Sequence, residues 1–244
     1  MSTDAGRARP RSAEMHPGPG LRLRRVERRP DRDVVEGLGG FETPAVSDLM
    51  NRLYSVSSAL RCLTPEATRL VGPACTVKVF PGDNLMVHAA LDLAEPGDVV
   101  VVDAGGHTAT AVLGDLVSTK ARHRGIAGFV VDGLVRDLPG ILALGDLPVF
   151  ARGVTPVGPL HRGPGEVGYP VSLGGIVVHG GDVVVADLNG IAVVPQDDAA
   201  DVLARLVARA EGEADYVAAV ARGEFSNAWV DEVLRAAGTE LPPP

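Results

Sequence analysis

Two opposite charges stand side by side at Arg136-Asp137, just after an apolar run, Gly128-Phe129-Val130-Val131-Asp132, that reads as a buried strand. Neighbours on an extended chain point to opposite faces, so the pair is not expected to neutralise itself. One reading is that both address a third body, Asp137 as an oxygen ligand to a hard divalent cation and Arg136 as a two-pronged grip on a carboxylate or enolate oxygen. The other is structural: Asp137 caps the helix that follows and Arg136 lies on the surface. Asp115, between Gly114 and Leu116, is the next candidate. If a helix begins near Gly114, the N–H groups of Leu116 and Val117 can bind a carboxylate as helix starts bind anions; an exposed helical acid is the plainer alternative. His107 follows Gly105-Gly106 and could be a base, a ligand or only a backbone hydrogen-bonder. His88, His123, His161 and His179 show no ligand spacing among themselves, and Glu211 and Glu213 fall on a late helix where solvent is the default neighbour.

The elements that must hold these residues are legible in outline. Val99 to Val102 closed by Asp103 is a run of β-branched residues that favours a strand covered on both faces. Gly105-Gly106 allows a sharp turn. From Thr108 to Arg124, Ala111, Val112, Leu116, Val117 and Ala121 recur at roughly helical spacing, which predicts a helix packed on the sheet. Strand, helix, strand implies a parallel crossover, and both polar loops then leave the carboxyl ends of strands, where α/β sheets place ligands. The Gly-Gly turn lacks Gly-x-Gly-x-x-Gly spacing and does not support a dinucleotide fold.

Around this centre, Thr43 as N-cap and Pro44 at N1 predict a helix start, with Asp48 and Asn51 on or near its polar face. Strands are expected over Val71–Phe80, Pro148–Ala151, Val171–Leu173 and Ile176–Val178, and helices over Leu85–Ala94, from Leu138 to near Gly145, Asp198–Gly223 and Trp229–Ala237. Val202, Leu203, Leu206, Val207 and Ala210 would face inward on the long one. Gly153 to Pro170 has no period and reads as a long loop or irregular strand pair, of the kind that is functional or lies at a subunit contact. Gly181-Asp182-Val183-Val184-Val185-Ala186-Asp187 echoes Gly97 to Asp103, and Leu188-Asn189-Gly190 turns it into a hairpin with Ile191–Pro195.

The 244 residues carry a formal charge of −8 and are 45% hydrophobic, enough for one full-sized core. Residues 1–33 hold nine arginines and five acids, a net +4, leaving −12 to the rest. That balance disfavours nucleic-acid binding by the folded part, and the Arg- and Pro-rich composition predicts a disordered leader over 1–33. No apolar run reaches the ~20 residues of a membrane span, and the first thirty residues lack the apolar core of a signal peptide. A cytoplasmic protein is expected. Cys62 and Cys75 are too few for a disulfide framework and read as buried thiols.

The motifs Gly97-Asp98…Asp103, Gly105-Gly106, Gly114-Asp115-Leu116, Val131-Asp132-Gly133-Leu134-Val135-Arg136-Asp137, Pro148–Gly153 and Pro170-Val171…Gly174-Gly175…Gly181-Asp182 together resemble one family. It is the family of the regulator of ribonuclease activity A (RraA) and the class II 4-hydroxy-4-methyl-2-oxoglutarate / 4-carboxy-4-hydroxy-2-oxoadipate aldolases. The likeness covers about residues 35–225. It implies a single α/β domain with a mixed β core flanked by helices, of the swivelling β/β/α type, over 34–225, followed by a C-terminal helix and tail over 226–244. It further implies homotrimers or homohexamers with sites at subunit contacts, and a metal-dependent lyase that releases pyruvate from a 4-hydroxy-2-oxo acid and decarboxylates oxaloacetate as a side activity.

By that resemblance Asp137 binds Mg²⁺ or Mn²⁺ directly. Asp115, and Glu213 of a neighbouring subunit, hold it through water. Arg136 grips the pyruvoyl group, Gly114 with the amides of Leu116 and Val117 receives its carboxylate, and Arg136 and Asp115 are the catalytic pair. His107 departs from the Asp usual after the Gly-Gly turn and is expected near the substrate, and Ser118-Thr119-Lys120 replaces smaller residues. The competing expectations are a non-catalytic regulator of an RNA-processing enzyme and a biosynthetic lyase or decarboxylase acting on a larger substrate.

Overall fold

A computed structural model describes residues 14–65 and 67–242. In chain order the elements are β1 (Leu21–Leu23), α1 (Arg32–Leu38), α2 (Thr43–Leu49), β2 (Arg61–Cys62), β3 (Leu70–Val79), α3 (Leu85–Leu93), β4 (Val99–Asp103), β5 (Ala111–Leu113), α4 (Asp115–His123), β6 (Gly128–Val135), α5 (Leu138–Leu142), β7 (Val149–Val154), β8 (Gly165–Val167), β9 (Val171–Leu173), β10 (Ile176–Val178), β11 (Val183–Asp187), β12 (Gly190–Val194), α6 (Ala199–Ala221) and α7 (Ala228–Ala236).

The valine run of β4 is the middle of the molecule. It pairs in parallel with β3 on one side and β6 on the other, with Val101 facing Thr76 and Val130. Side chains alternate across a strand, and here both sets are buried. Val100 and Val102 join Phe129, Val131 and the apolar sides of α3, α4 and α5 in one core. Val99 and Val101 join Val130, Phe150 and the hairpins β9–β10 and β11–β12 in a second. The result is a mixed sheet in the order β1-β8-β3-β4-β6-β7-β2, with β5 added on β6 and β11–β12 on β3. Helices α3, α4 and α5 cover one face and β-hairpins the other, the layered mixed α/β fold expected.

The compact unit that runs to Leu203 contains all of this. A second unit begins at Ala204 and consists of the remainder of α6 together with α7, none of whose residues is buried. Along α6, Val202 and Leu206 are buried and Leu203 partly so, whereas Val207 and Ala210 are exposed, so the inward stripe is shorter than the periodicity predicts.

Three expectations need correction. The helix predicted from Thr108 begins only at Asp115, because Ala111–Leu113 instead forms β5 against the end of β6. The leader is ordered from Glu14 onward; residues 1–13 lie outside the described residues. Its β1 pairs in register with β8, and Arg29 grips the buried Asp98 carboxylate with two bonds of 2.8 and 2.7 Å. Arginines that composition assigns to solvent therefore find long-range carboxylates. Finally, α2 is capped at Glu42 rather than Thr43, whose N–H instead donates to Asp187 Oδ2 at 2.8 Å.

The echo between Gly97–Asp103 and Gly181–Asp187 has a physical cause. Each strand-ending Asp accepts an N–H from two residues further on, Gly105 to Asp103 and Asn189 to Asp187, at 2.9 and 2.8 Å. These are Asx turns that stop the strand and start the loop.

Candidate active site

β6 carries the charged pair to the edge of the sheet. Arg136 N–H still donates to Leu113 carbonyl at 2.9 Å, but Asp137 then takes a left-handed conformation, φ 52° and ψ 39°. For a residue other than glycine that conformation costs roughly 1–2 kcal/mol. It breaks the alternation of the strand and swings both side chains to one side, so Arg136 Nε and Asp137 Oδ2 meet at 3.1 Å. The expectation that adjacent residues would not pair is thus overturned, since it assumed an extended chain. Asp137 does occupy the N-cap position of α5, as the structural alternative held, yet its carboxylate makes no capping hydrogen bond. Both side chains remain a little under half exposed.

Pair and helix start share one cavity of about 290 Å³, lined on this side by Gly114, Asp115, Leu116, Val117, Arg136 and Asp137. Gly114 is required for room. A Cβ built on it would lie 2.6 Å from Asp137 Oδ2 and 3.1 Å from Arg136 Cγ. Asp115 opens α4, the helix start that the anion-binding reading demanded. First-turn amides lack intrahelical acceptors, and here that of Leu116 donates to Asp115 Oδ1 at 2.7 Å. Ser118 ties the turn down, its N–H and Oγ donating to Gly114 carbonyl at 3.0 and 2.9 Å. Gly140 of α5 lets Asp115 approach: a Cβ there would stand 2.6 Å from Asp115 Cβ.

The donor set bears on the metal. Among the described residues no three His, Cys, Asp or Glu side chains converge as a cage. Asp137, with Asp115 on the same cavity wall, offers hard carboxylate oxygens and space. That fits Mg²⁺ or Mn²⁺, which bind through one or two carboxylates plus water and substrate oxygens, and does not fit structural zinc.

The cavity also takes in residues that spacing did not single out. Asn84, His88, Lys120 and His161 line it. His161 lies in the aperiodic stretch before β8, the loop read as functional or at a subunit contact, and its Nδ1 is 2.6 Å from Asn84 Oδ1. His88 and His161 are 73 residues apart in sequence and only the fold joins them, with ring centroids 5.6 Å apart. Burial, then the charges of Lys120 and His161, hold His88 below the ordinary imidazole value.

His107 does not line this cavity; its N–H closes the Gly-Gly turn on Ala104 carbonyl at 3.1 Å. That bond is made by the main chain and assigns no role to the imidazole. Glu213 belongs to the second unit, where Arg209 Nε donates to its Oε1 at 2.9 Å. Cys75 is buried, and burial, aided by the charge of Asp98 and opposed by Arg29, pushes its thiol up to about 12. Cys62 is half-buried, so only one of the two thiols is fully enclosed. Asp103 and Asp132 face each other on β4 and β6, but accept N–H groups of Ser172 and Gly174 at 3.2 and 2.9 Å and so hold the β9 hairpin.

A layered mixed sheet with an Arg-Asp pair and a helix start in one cavity defines the class of protein. The chain belongs to the RraA-like family: the model described as Aldolase/RraA matches residues 43–193. A protein of Halalkalibacterium halodurans that bears the provisional name 4-hydroxy-4-methyl-2-oxoglutarate aldolase is 41% identical over 171 residues, covering 70% of this chain and 80% of its own. A like-named protein of Ectopseudomonas mendocina is 41% identical over 156 residues, 64% of this chain and 95% of its own. Among solved structures, RraAS2 of Streptomyces coelicolor, described as an unusual member of the RNase ES inhibitor RraA family, superposes with a TM-score of 0.70 at 31% identity, over 78% of this chain and 98% of that one. An uncharacterized protein of Pseudomonas syringae pv. tomato gives 0.72 at 28% identity, over 81% and 96%.

Proposed function

We propose that the protein is a divalent-metal-dependent lyase that cleaves a 4-hydroxy-2-oxo acid, of the 4-hydroxy-4-methyl-2-oxoglutarate type, to pyruvate and a second carbonyl compound. The observation that carries this reading is the turn at Asp137, which spends backbone strain to bring a carboxylate and a guanidinium into one cavity rather than to cap a helix. Mg²⁺ or Mn²⁺ held by Asp137, and through water by Asp115, would supply the Lewis acidity that steadies an enolate.

Arg136 presents a fixed cation to the 2-oxo oxygen, where negative charge develops as the C3–C4 bond breaks. The first turn of α4, at Leu116 and Val117, receives the substrate carboxylate; the Leu116 N–H then leaves Asp115 Oδ1, which frees that carboxylate to orient a water. This water takes the C4 hydroxyl proton. C4 becomes a carbonyl, the bonding pair moves to C3, and protonation of C3 yields pyruvate. Oxaloacetate decarboxylation passes through the same enolate and is expected as a side activity. Glu213 of a neighbouring subunit, in a homotrimer or homohexamer, is proposed to complete the water shell.

The names of the aldolase relatives support a lyase, and the RraA neighbours fit the rival reading of a regulator that occludes a ribonuclease. Arg136, Asp137 and Asp115 gathered in one cavity favour the enzyme. Pyruvate release from a panel of 2-oxo acids, with Mg²⁺ and with EDTA, tests it. Release should require the metal, vanish in Asp137→Ala and fall about 10²- to 10³-fold in Arg136→Ala, the loss typical of one electrostatic partner. Metal-independent release, or none from any 2-oxo acid, would overturn the reading.

A further inference from the structure

Cleavage leaves an electron pair on C3 that must take a proton, and none of Arg136, Asp115 and Asp137 is placed to carry it. Arginine does not release its proton, and in the lyase reading the two carboxylates serve metal and water. The same cavity presents two imidazoles, His88 and His161. His161 is the one that the fold aims. It stands in a loop that the turn before α3 clamps residue by residue: Leu160 N–H donates to Gly82 carbonyl at 2.8 Å, Asn84 N–H to Leu160 carbonyl at 2.9 Å, and Arg162 N–H to Asp83 Oδ2 at 2.6 Å. Asp83 and Asn84 are each only 3% exposed, and polar groups are buried at a cost unless they are paired. The Asn84 side chain makes two further bonds. Its Nδ2 donates to Val112 carbonyl at 2.9 Å, so Oδ1 is the atom that meets His161 Nδ1 at 2.6 Å. An amide oxygen only accepts, so Nδ1 carries the proton. Among the described residues nothing bonds Nε2, which keeps its lone pair when the ring holds a single proton.

We propose that His161 is a catalytic residue, a shuttle whose Nε2 delivers the proton to C3, and that Asn84 positions it. The inference rests on the lyase reading. The water oriented by Asp115 passes the C4 hydroxyl proton to Nε2. The C3–C4 bond breaks, its electron pair moves to C3, and Nε2 gives the proton there, so that the pair becomes the new C–H bond. The ring ends the turnover with the single proton it began with, and the step needs no imidazolium in the resting protein. Lys120 lines the same cavity. A like charge nearby disfavours an imidazolium and urges its proton onward. His88 lies edge to face with the shuttle at 5.6 Å; burial, then the charges of Lys120 and His161, favour its uncharged form.

Exchange of pyruvate methyl protons in D₂O with Mg²⁺ isolates the step, because it moves protons at C3 and breaks no C–C bond. Release of CO₂ from oxaloacetate is the reference, since it reaches the same enolate without a base. The ratio of exchange to CO₂ release should fall about 10²-fold or more in His161→Gln, the worth of a positioned acid–base group. Asn84→Ala should lower the same ratio less, and imidazole added to His161→Ala should restore part of the exchange. A ratio within about twofold of wild type in both His161→Gln and His161→Ala, including one kept because both activities fall together, would overturn the shuttle. A readout apart from turnover is the ¹⁵N spectrum of the ring in the metal-free wild-type protein at pH ~8, where an ordinary imidazole is uncharged. It should place the proton on Nδ1; a proton on Nε2 would overturn the proposal. Wild-type protein that exchanges pyruvate protons whatever stands at position 161 refutes the shuttle alone. Wild-type protein that neither exchanges, cleaves nor decarboxylates any 2-oxo acid refutes shuttle and lyase reading together.

Discussion

At Gly114 the constraint is volume, because its backbone is extended and any residue could adopt it. A methyl group would sit 2.6 Å from Asp137 Oδ2. Gly114→Ala should therefore displace the Asp137 carboxylate and leave the core intact: pyruvate release is expected to fall by about 10²-fold, the scale set by ångström misplacements, with the unfolding free energy within about 1 kcal/mol of wild type. Unchanged turnover would show that Asp137 works from another position. Residue types singled this pair out, although a helix cap at Asp137 and a surface place for Arg136 explained them equally well. Its geometry was not legible. The left-handed turn at Asp137 leaves no trace in sequence when the residue is not glycine, and without it the two side chains appear to point apart. The rings of His88 and His161 and the amide of Asn84 were missed for a related reason: they come from α3, its entering turn and a distant loop, and no local spacing records such a meeting.

Among the elements, β4 and β6 were read correctly because both faces of each are apolar and β-branched. The segment before α4 was misread. Three apolar residues, Ala111 to Leu113, suit a strand or a helix equally by period, and the partner that decides, the end of β6, is more than twenty residues away. Misplacing that boundary matters for function, since the true start at Asp115 is what puts first-turn amides in the cavity. Asp187 shows how an element is fixed from afar. It ends β11, accepts N–H groups of Thr43 and Asn189 at 2.8 Å each, and so binds α2 to the β11–β12 hairpin. Burial works to raise its pKa, yet those donors prevail and hold it below the ordinary carboxylate value. A carboxyl depressed in the folded state stabilises above its unfolded pKa of about 3.9, and that contribution is lost as pH falls through the folded value. Asp187→Asn should destabilise by about 1.5–3 kcal/mol at pH 7, the worth of hydrogen bonds to a charged acceptor. The gap from wild type, measured by urea unfolding, should narrow below pH ~4. A gap independent of pH would assign the loss to shape rather than charge.

For the whole molecule, the uneven charge takes on a different meaning once the chain is folded. Arg22, Arg28 and Arg29 pair with Glu166, Asp197 and Asp98, and Arg22 and Arg24 lie over the Tyr169 ring at 4.0 and 4.6 Å. The described part of the basic leader is thus bound to the acidic body through long-range pairs, which composition alone cannot show. Among the described residues no helix is long and apolar enough to cross a membrane. The sheet, its two cores and the crossover into α4 all serve to deliver three groups to one edge, and the account of function stands on those groups acting together on a metal and an enolate. Oxalate mimics that enolate in shape and charge, so its binding, followed by calorimetry with and without Mg²⁺, is the most direct measurement. The account predicts one oxalate per chain with Mg²⁺, none after EDTA, and none in Asp137→Ala or Arg136→Ala. Equal binding with EDTA, or binding that survives both substitutions, would contradict it.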